Sequence, residues 1–287
     1  MKIDPIFVLG RQRSGTTWIT NILASHDDIF TPLHEAHQGQ HESAFFSALV
    51  PYCNFAQTEQ DRIALKAIFE RSDFFQLVQD GQFPPPSIRG LDASAYFRRV
   101  MDLAAERRGC SMWLEKTPAH TLCLSTLLEC FPDAYFIAVT RKTYEVVRSN
   151  VYKFGDPGSL SAWIRATILT KIYEKMLRRY KDRLCMVKYE ELLTHYDETV
   201  SRIISYLGLE NAGAYSSQYQ RVSSYDEKAP KKHRFNKILV TCFCVGLELI
   251  PSSGLQILID RKRARRRGKL PPWFFKLSGS DPTNERS

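Results

Sequence analysis

No stretch of about 18 residues in this chain is apolar throughout without a charge or a proline, so a transmembrane helix is not expected. Ahead of Arg11 the N-terminus offers only Ile6–Leu9 as an apolar run. That is too short for the core of a secretory signal, and a cytoplasmic protein is the expectation. No two cysteines stand in a C-x-x-C pair. The seven that occur, Cys53, Cys110, Cys123, Cys130, Cys185, Cys242 and Cys244, are odd in number. In a chain of 287 residues this argues against a disulfide framework and gives no ligand spacing for a metal, so reduced thiols and no bound metal are expected. There is no internal repeat. With 44% hydrophobic and 25% charged residues, the composition is that of a globular protein of one large or two small domains.

Charge is unevenly placed. Lys and Arg number 40 and Asp and Glu 31, a balance of +9. Arg261, Lys262, Arg263, Arg265, Arg266, Arg267 and Lys269 supply seven of those positive charges, and the rest of the chain is close to neutral. The aromatic cluster Trp273-Phe274-Phe275 follows. A basic run beside aromatics suits weak contact with an anionic membrane through residues 261–275, and it equally suits a solvated helix face. No nucleic-acid reading motif accompanies it, so no nucleic-acid partner is expected.

Four compact apolar runs read as buried strands: 6–9, 111–114, 134–140 and 184–188. Helical periodicity occupies 15–24, 122–130, 144–152, 162–180 and 199–206. This alternation predicts an α/β fold, a central parallel sheet flanked by helices. Residues 35–109 interrupt it, rich in Gln, Phe and Ala and broken at Pro84-Pro85-Pro86. They read as a helical insert after the first strand, lying over the carboxyl ends of the strands and binding the acceptor. Its phenylalanines serve either as lining for an apolar ligand or as the insert's own core. The main domain is expected over 1–236. Residues 237–287 would form a C-terminal extension with the basic run and a disordered end.

The most informative segment is Gly10-Arg11-Gln12-Arg13-Ser14-Gly15-Thr16-Thr17-Trp18, between a strand and a helix. Loop amides and a helix N-terminus converge there on an anion. The glycine spacing is that of a P-loop, but Thr16 stands where a nucleotide hydrolase needs lysine. Arg11 and Arg13 bring the positive charge into the loop instead. This segment resembles the phosphosulfate loop of sulfotransferases that use 3′-phosphoadenosine 5′-phosphosulfate (PAPS), and the chain is identified as a member of that family over roughly residues 1–235. A second motif is similar: Arg141 ends the third strand and Ser149 follows in the next helix, as in the family's 3′-phosphate site. Val187-Lys188-Tyr189-Glu190-Glu191-Leu192 and Tyr206-Leu207-Gly208-Leu209 resemble further family segments. The Arg-Lys-Gly late loop of many members is absent, and residues 229–234 are its nearest basic counterpart.

The resemblance implies a P-loop-like sulfotransferase fold and transfer of a sulfuryl group from PAPS to a hydroxyl or amine, releasing adenosine 3′,5′-bisphosphate. The acceptor would be a small molecule or a glycan. Donor-binding residues would be Arg11, Arg13, Ser14, Gly15, Thr16, Thr17, Trp18, Arg141, Ser149 and Tyr189. Arg13 and Lys116, the latter within Glu115-Lys116-Thr117-Pro118, would neutralise charge developing in transfer. Glu35 matches the acidic position of the glycan and tyrosyl-protein branches and is the first choice for the base. Glu42, His34, His37 and His41 are alternatives, and His120 is a reserve. Two other readings of the loop are a P-loop kinase-like phosphotransferase and a non-catalytic anion-binding or membrane-peripheral module.

Overall fold

The computed structural model describes residues 2–35, 39–210, 233–248, 257 and 269–276. Strand β1 (Asp4–Gly10) leads into helix α1 (Thr16–Leu23), then a two-residue edge strand β2 (Ile29–Phe30) and a small hairpin, β3 (Leu33–His34) and β4 (Gly39–Gln40). The insert continues with a π-helical turn Phe45–Leu49, the short α2 (Val50–Tyr52), α3 (Glu59–Glu70), α4 (Asp73–Gln79) and α5 (Ala93–Arg107). The α/β alternation then resumes with β5 (Met112–Glu115), a 3₁₀ turn Pro118–Cys123, α6 (Leu124–Cys130), β6 (Tyr135–Thr140), α7 (Thr143–Phe154) and α8 (Leu160–Arg179). Strand β7 (Cys185–Lys188) and helices α9 (Tyr189–Thr194), α10 (Tyr196–Tyr206) and α11 (His233–Glu248) complete the described elements.

The sheet order is β2-β5-β1-β6-β7, and every neighbouring pair is parallel. All four strands expected from the sequence are present. The edge strand β2 is an addition, because two residues carry no periodic signal. Alternation along the strands sorts the core into two faces. Ile6, Val8, Leu114, Ile137, Val139 and Val187 pack with α1 and α10. Phe7, Leu9, Trp113, Phe136 and Ala138 pack with α8 and the insert.

The insert therefore lies mainly against a face of the sheet, not over the strand ends. Phe97 of α5 meets Trp113 edge-on at 5.9 Å, and Phe45, Phe46, Phe69 and Phe74 cluster around Phe97. Phe45, Phe46, Phe74 and Phe75 are buried, so these aromatics form core, while Phe55 is exposed. Helices α3 and α4 start at good caps: the Thr58 and Ser72 hydroxyls accept from Asp61 N–H and Phe75 N–H. The part of the insert that meets the end of β5 is the segment 42–46: Glu42 pairs with Lys116, Ser43 bonds Glu115, Ala44 N–H donates to Thr117 and Phe46 N–H to His120.

Two described parts of the expected extension pack on the rest of the chain. Helix α11, which spans the expected boundary at 236, packs along α8: Lys171 pairs with Glu248 at 3.1 Å and Lys175 Nζ donates to Leu247 O at 2.7 Å. Further on, Phe274 and Phe275 are buried in the insert's core, and Asp73 N–H donates to Phe274 O at 3.1 Å. Of the aromatic cluster read with the basic run, Phe274 and Phe275 are thus buried and Trp273 is partly buried; the basic residues 261–268 lie outside the described residues, as do 277–287 of the expected disordered end. Among the described residues no helix is long and apolar enough to cross a membrane.

Candidate active site

The loop after β1 is shaped by two glycines. Gly10 has φ +152°, and a Cβ there would lie 2.6 Å from Val139 O and 2.7 Å from Ser14 Oγ. Gly15, at φ +104°, precedes α1, and its Cβ would lie 2.4 Å from the Tyr189 ring. Between them Arg13 adopts a left-handed φ of 75°. A non-glycine residue rarely holds that conformation unless its surroundings impose it. Ser14 N–H donates to Arg11 O at 2.9 Å and closes the turn. Thr16 and Thr17 open α1, whose first amides have no acceptor within the helix.

Three expected donor-site residues meet here. Arg13 Nε donates to Ser149 Oγ at 2.9 Å, and Arg141 Nη1 donates to Arg13 O at 3.3 Å. Burial, and then the neighbouring Arg141 guanidinium, pulls Arg13 below the usual arginine value. Two guanidinium groups held together in a partly buried loop are relieved by an anion between them. Arg141 also lies 4.4 Å over the Tyr189 ring, which supports Gly15 from beneath. Asn150, which the sequence reading passed over, donates to Gln12 O at 2.8 Å and ties α7 to the loop. Trp18 is partly buried, edge-on to Tyr189 at 5.5 Å and stacked with Tyr196 at 6.1 Å. Arg11 is buried, its guanidinium 5.2 Å over Tyr173 and bonded to Gln12 Oε1 at 3.1 Å.

The residues present fit a nucleotide bearing two anionic groups. Ser14 Oγ is buried and has no hydrogen-bond partner among the described residues, and it sits inside the turn the glycines form. Arg13, Arg141, Ser149 and the α1 amides supply donors for both anions.

At the end of β5 a second assembly takes shape. Lys116 is 3% exposed and its Nζ lies 3.0 Å from Glu42 Oε1. Beside it the buried Glu115 carboxylate accepts from Ser43 Oγ at 2.7 Å, Thr117 Oγ1 at 2.6 Å and, over a longer 3.4 Å, Ser43 N–H. His120 Nδ1 lies 2.9 Å from Glu115 Oε2, while Phe46 N–H donates to His120 Nε2 at 3.1 Å. An Nε2 that accepts leaves the ring proton on Nδ1, donated to Glu115. Burial pushes the Glu115 carboxyl up, but His120 and the two hydroxyls outweigh it and hold it below the usual carboxylate range.

The sequence choices for a base are thereby separated. His120 is fully buried with both ring nitrogens bonded, which removes it as the reserve base. His41 is buried, edge-on to Trp273 at 5.6 Å. Glu35 is exposed at the turn after β3, and Glu42 is the carboxylate paired with Lys116. His37 lies outside the described residues, as do 229–232 of the late basic loop. Glu115 carried no signal beyond its place before Lys116. A hollow of about 720 Å³ lies away from this site, lined in part by Phe83, Pro84, Leu91 and Arg98.

Comparison with known proteins agrees with this geometry. Residues 5–212 match the profile described as Sulfotransferase family. The nodulation protein NoeE of Sinorhizobium fredii is 23% identical, over 77% of this chain and 55% of that protein. An omega-hydroxy-beta-dihydromenaquinone-9 sulfotransferase of Mycobacterium bovis is 22% identical, over 74% of this chain and 64% of that one. This chain therefore spans less than two thirds of either relative's length. The sulfotransferase domain of the Synechococcus PCC 7002 olefin synthase superposes with a TM-score of 0.53 at 17% identity, over 94% of this chain and 97% of that domain, which shows a common fold.

Proposed function

The chain belongs to the sulfotransferase family, and from that premise we propose that it is an enzyme moving a sulfuryl group from PAPS to a hydroxyl or amine acceptor, with adenosine 3′,5′-bisphosphate as the other product. The observation that carries the reading is the convergence of Arg13, Arg141 and Ser149 on the glycine-bounded loop. When bound, PAPS supplies an activated sulfuryl group. The α1 amides and Ser14 would hold its 5′ end, Arg141 and Ser149 would hold its 3′-phosphate, and Trp18 and Tyr189 would border the adenine. In transfer a bond would form between the acceptor oxygen or nitrogen and sulfur, and the bond from sulfur to the bridging oxygen would break, leaving the electron pair on adenosine 3′,5′-bisphosphate. Arg13 and Lys116 neutralise the charge that appears on the departing oxygen and the sulfuryl oxygens. Release of Lys116 from Glu42 frees it for that role.

The acceptor proton passes to a carboxylate after α1. We assign it to Glu35, which is solvent-accessible to an incoming acceptor. A second reading gives the proton to Glu42, favoured by its 3.0 Å pairing with Lys116. One relative is named for an omega-hydroxy menaquinone, and a small molecule carrying a hydroxyl is the acceptor class proposed here. Against a kinase-like phosphotransferase stand Thr16 in the lysine position and a central strand β6 that runs into Thr140 and Arg141, not into a metal-binding aspartate. Against a non-catalytic module stands Lys116, held 3% exposed beside the partly buried Glu42, a placement that costs desolvation.

Calorimetric titration with adenosine 3′,5′-bisphosphate, with AMP, and with the Arg141→Ala variant tests the reading. Tight binding of the bisphosphate that is lost with AMP and with the variant is expected. Equally weak binding of both nucleotides would refute it.

A further inference from the structure

Strand β5 accompanies β1 only as far as the pair Phe7–Glu115, whereas β6 accompanies it up to Gly10. The chain turns away after Glu115 into the 3₁₀ turn Pro118–Cys123. The last residues of β1 therefore have no strand on that side. One side chain takes its place. The Thr121 hydroxyl, fully buried, accepts from Gly10 N–H at 2.9 Å and donates to Gly10 O at 3.2 Å. A single group thus satisfies both backbone partners of the residue from which the phosphate loop departs.

Gly10 is where such support matters. It has no side chain to anchor it, and its φ of +152° leaves room for none. It also sits against Ser14 and Thr16, two residues of the proposed donor site. A buried backbone group left without a partner is costly, and a loop relaxes to avoid that cost. Here relaxation would move the Gly10 peptide and, with it, the amides that face the anion. The same short turn carries His120, which holds Phe46 N–H, so it braces the loop on one side and the insert on the other.

We propose that Thr121 is a positioning residue of the donor site, setting the phosphate loop through the Gly10 peptide and so tightening nucleotide binding without touching the nucleotide. The inference rests on the sulfotransferase reading. It is tested with the full chain by titrating adenosine 3′,5′-bisphosphate into the wild type, Thr121→Val and Thr121→Ser, with thermal melts in parallel. Valine keeps the volume and removes the hydroxyl; serine keeps the hydroxyl. The expected result is about tenfold weaker binding for Thr121→Val, an effect of one lost positioning interaction, with Thr121→Ser within about twofold of the wild type. Amide exchange should also quicken in the peptide spanning residues 8–16. A Thr121→Val protein that melts lower but binds as the wild type does would overturn the proposal, since a merely structural hydroxyl predicts that pattern. Should Thr121→Val fail to fold, Thr121→Ala against Thr121→Ser makes the same comparison, and equal affinity in the two overturns it. Absence of binding by the wild type itself would overturn the sulfotransferase reading, and this inference with it.

Discussion

Replacing Glu115 by glutamine removes a charge from a site that is 1% exposed and built around that charge. The carboxylate accepts from two hydroxyls, one ring N–H and one long backbone N–H. Glutamine keeps one acceptor oxygen and turns the other into an amide that faces donors. Both hydroxyls share Oε1, so the amide takes the Oε2 side and the imidazole N–H is left without a partner, at about 1–3 kcal/mol, while the two hydroxyl bonds lose their charge assistance, about 1 kcal/mol each. The sum is about 3–5 kcal/mol. For a domain of this size, each kcal/mol moves Tm by about 2–4 °C, so a fall of about 10 °C is expected in a calorimetric melt at pH 7. The effect also has a pH signature. The Glu115 carboxyl is lower in the folded chain than in the unfolded one. Its contribution is therefore complete above the unfolded value of about 4.3, and it is lost as pH falls through the lower folded value. The gap between wild type and variant should stay constant from pH 7 to about pH 5 and close only below about pH 4. A Tm within about 2 °C of the wild type at pH 7, or a gap that closes already near pH 6, would refute this account of the network.

Other substitutions probe other links. Gly15→Ala adds a Cβ 2.4 Å from the Tyr189 ring at a φ of +104°, and titration should show at least about tenfold weaker binding of adenosine 3′,5′-bisphosphate. Phe274→Ala empties a fully buried site between insert and extension and should cost about 3–5 kcal/mol by urea unfolding; a loss under 1 kcal/mol would mean that the segment is not docked as described. Burial, aided by Asp61, pushes the Cys53 thiol up to about 12, so at pH 8 iodoacetamide should label the exposed Cys130 and spare Cys53, as mass spectrometry of the digest would read. Glu35→Gln should abolish transfer while Glu42→Gln lowers it, measured as release of adenosine 3′,5′-bisphosphate with a responsive acceptor; the reverse order moves the base to Glu42.

Much of this protein was readable along the chain. Alternating apolar strands and periodic helices are local patterns, and they fixed a parallel sheet with helices on its faces. The loop from Gly10 to Trp18 is contiguous, so its glycines, its arginines and its missing lysine spoke for the donor before any geometry did. Arg141 and Ser149 could be named together because the residue after β6 and helix α7 are close along the chain; that Ser149 meets Arg13 and Arg141 meets the loop backbone was decided by the fold.

What escaped was whatever depends on two distant segments meeting. Glu115, Thr121 and Asn150 are ordinary residue types in ordinary places; only the sheet register brings Thr121 to Gly10, 111 residues away. The exposed base candidate and the paired one, Glu35 and Glu42, looked alike in a segment dense in Glu and His, and folding alone set one of them against Lys116. The tail reads as basic and aromatic whether it meets a membrane or a core. Burial of Phe274 beneath the insert was decided by the cavity that α4 and its neighbours leave open, a property of packed volume that the amino-acid sequence holds only through the whole fold.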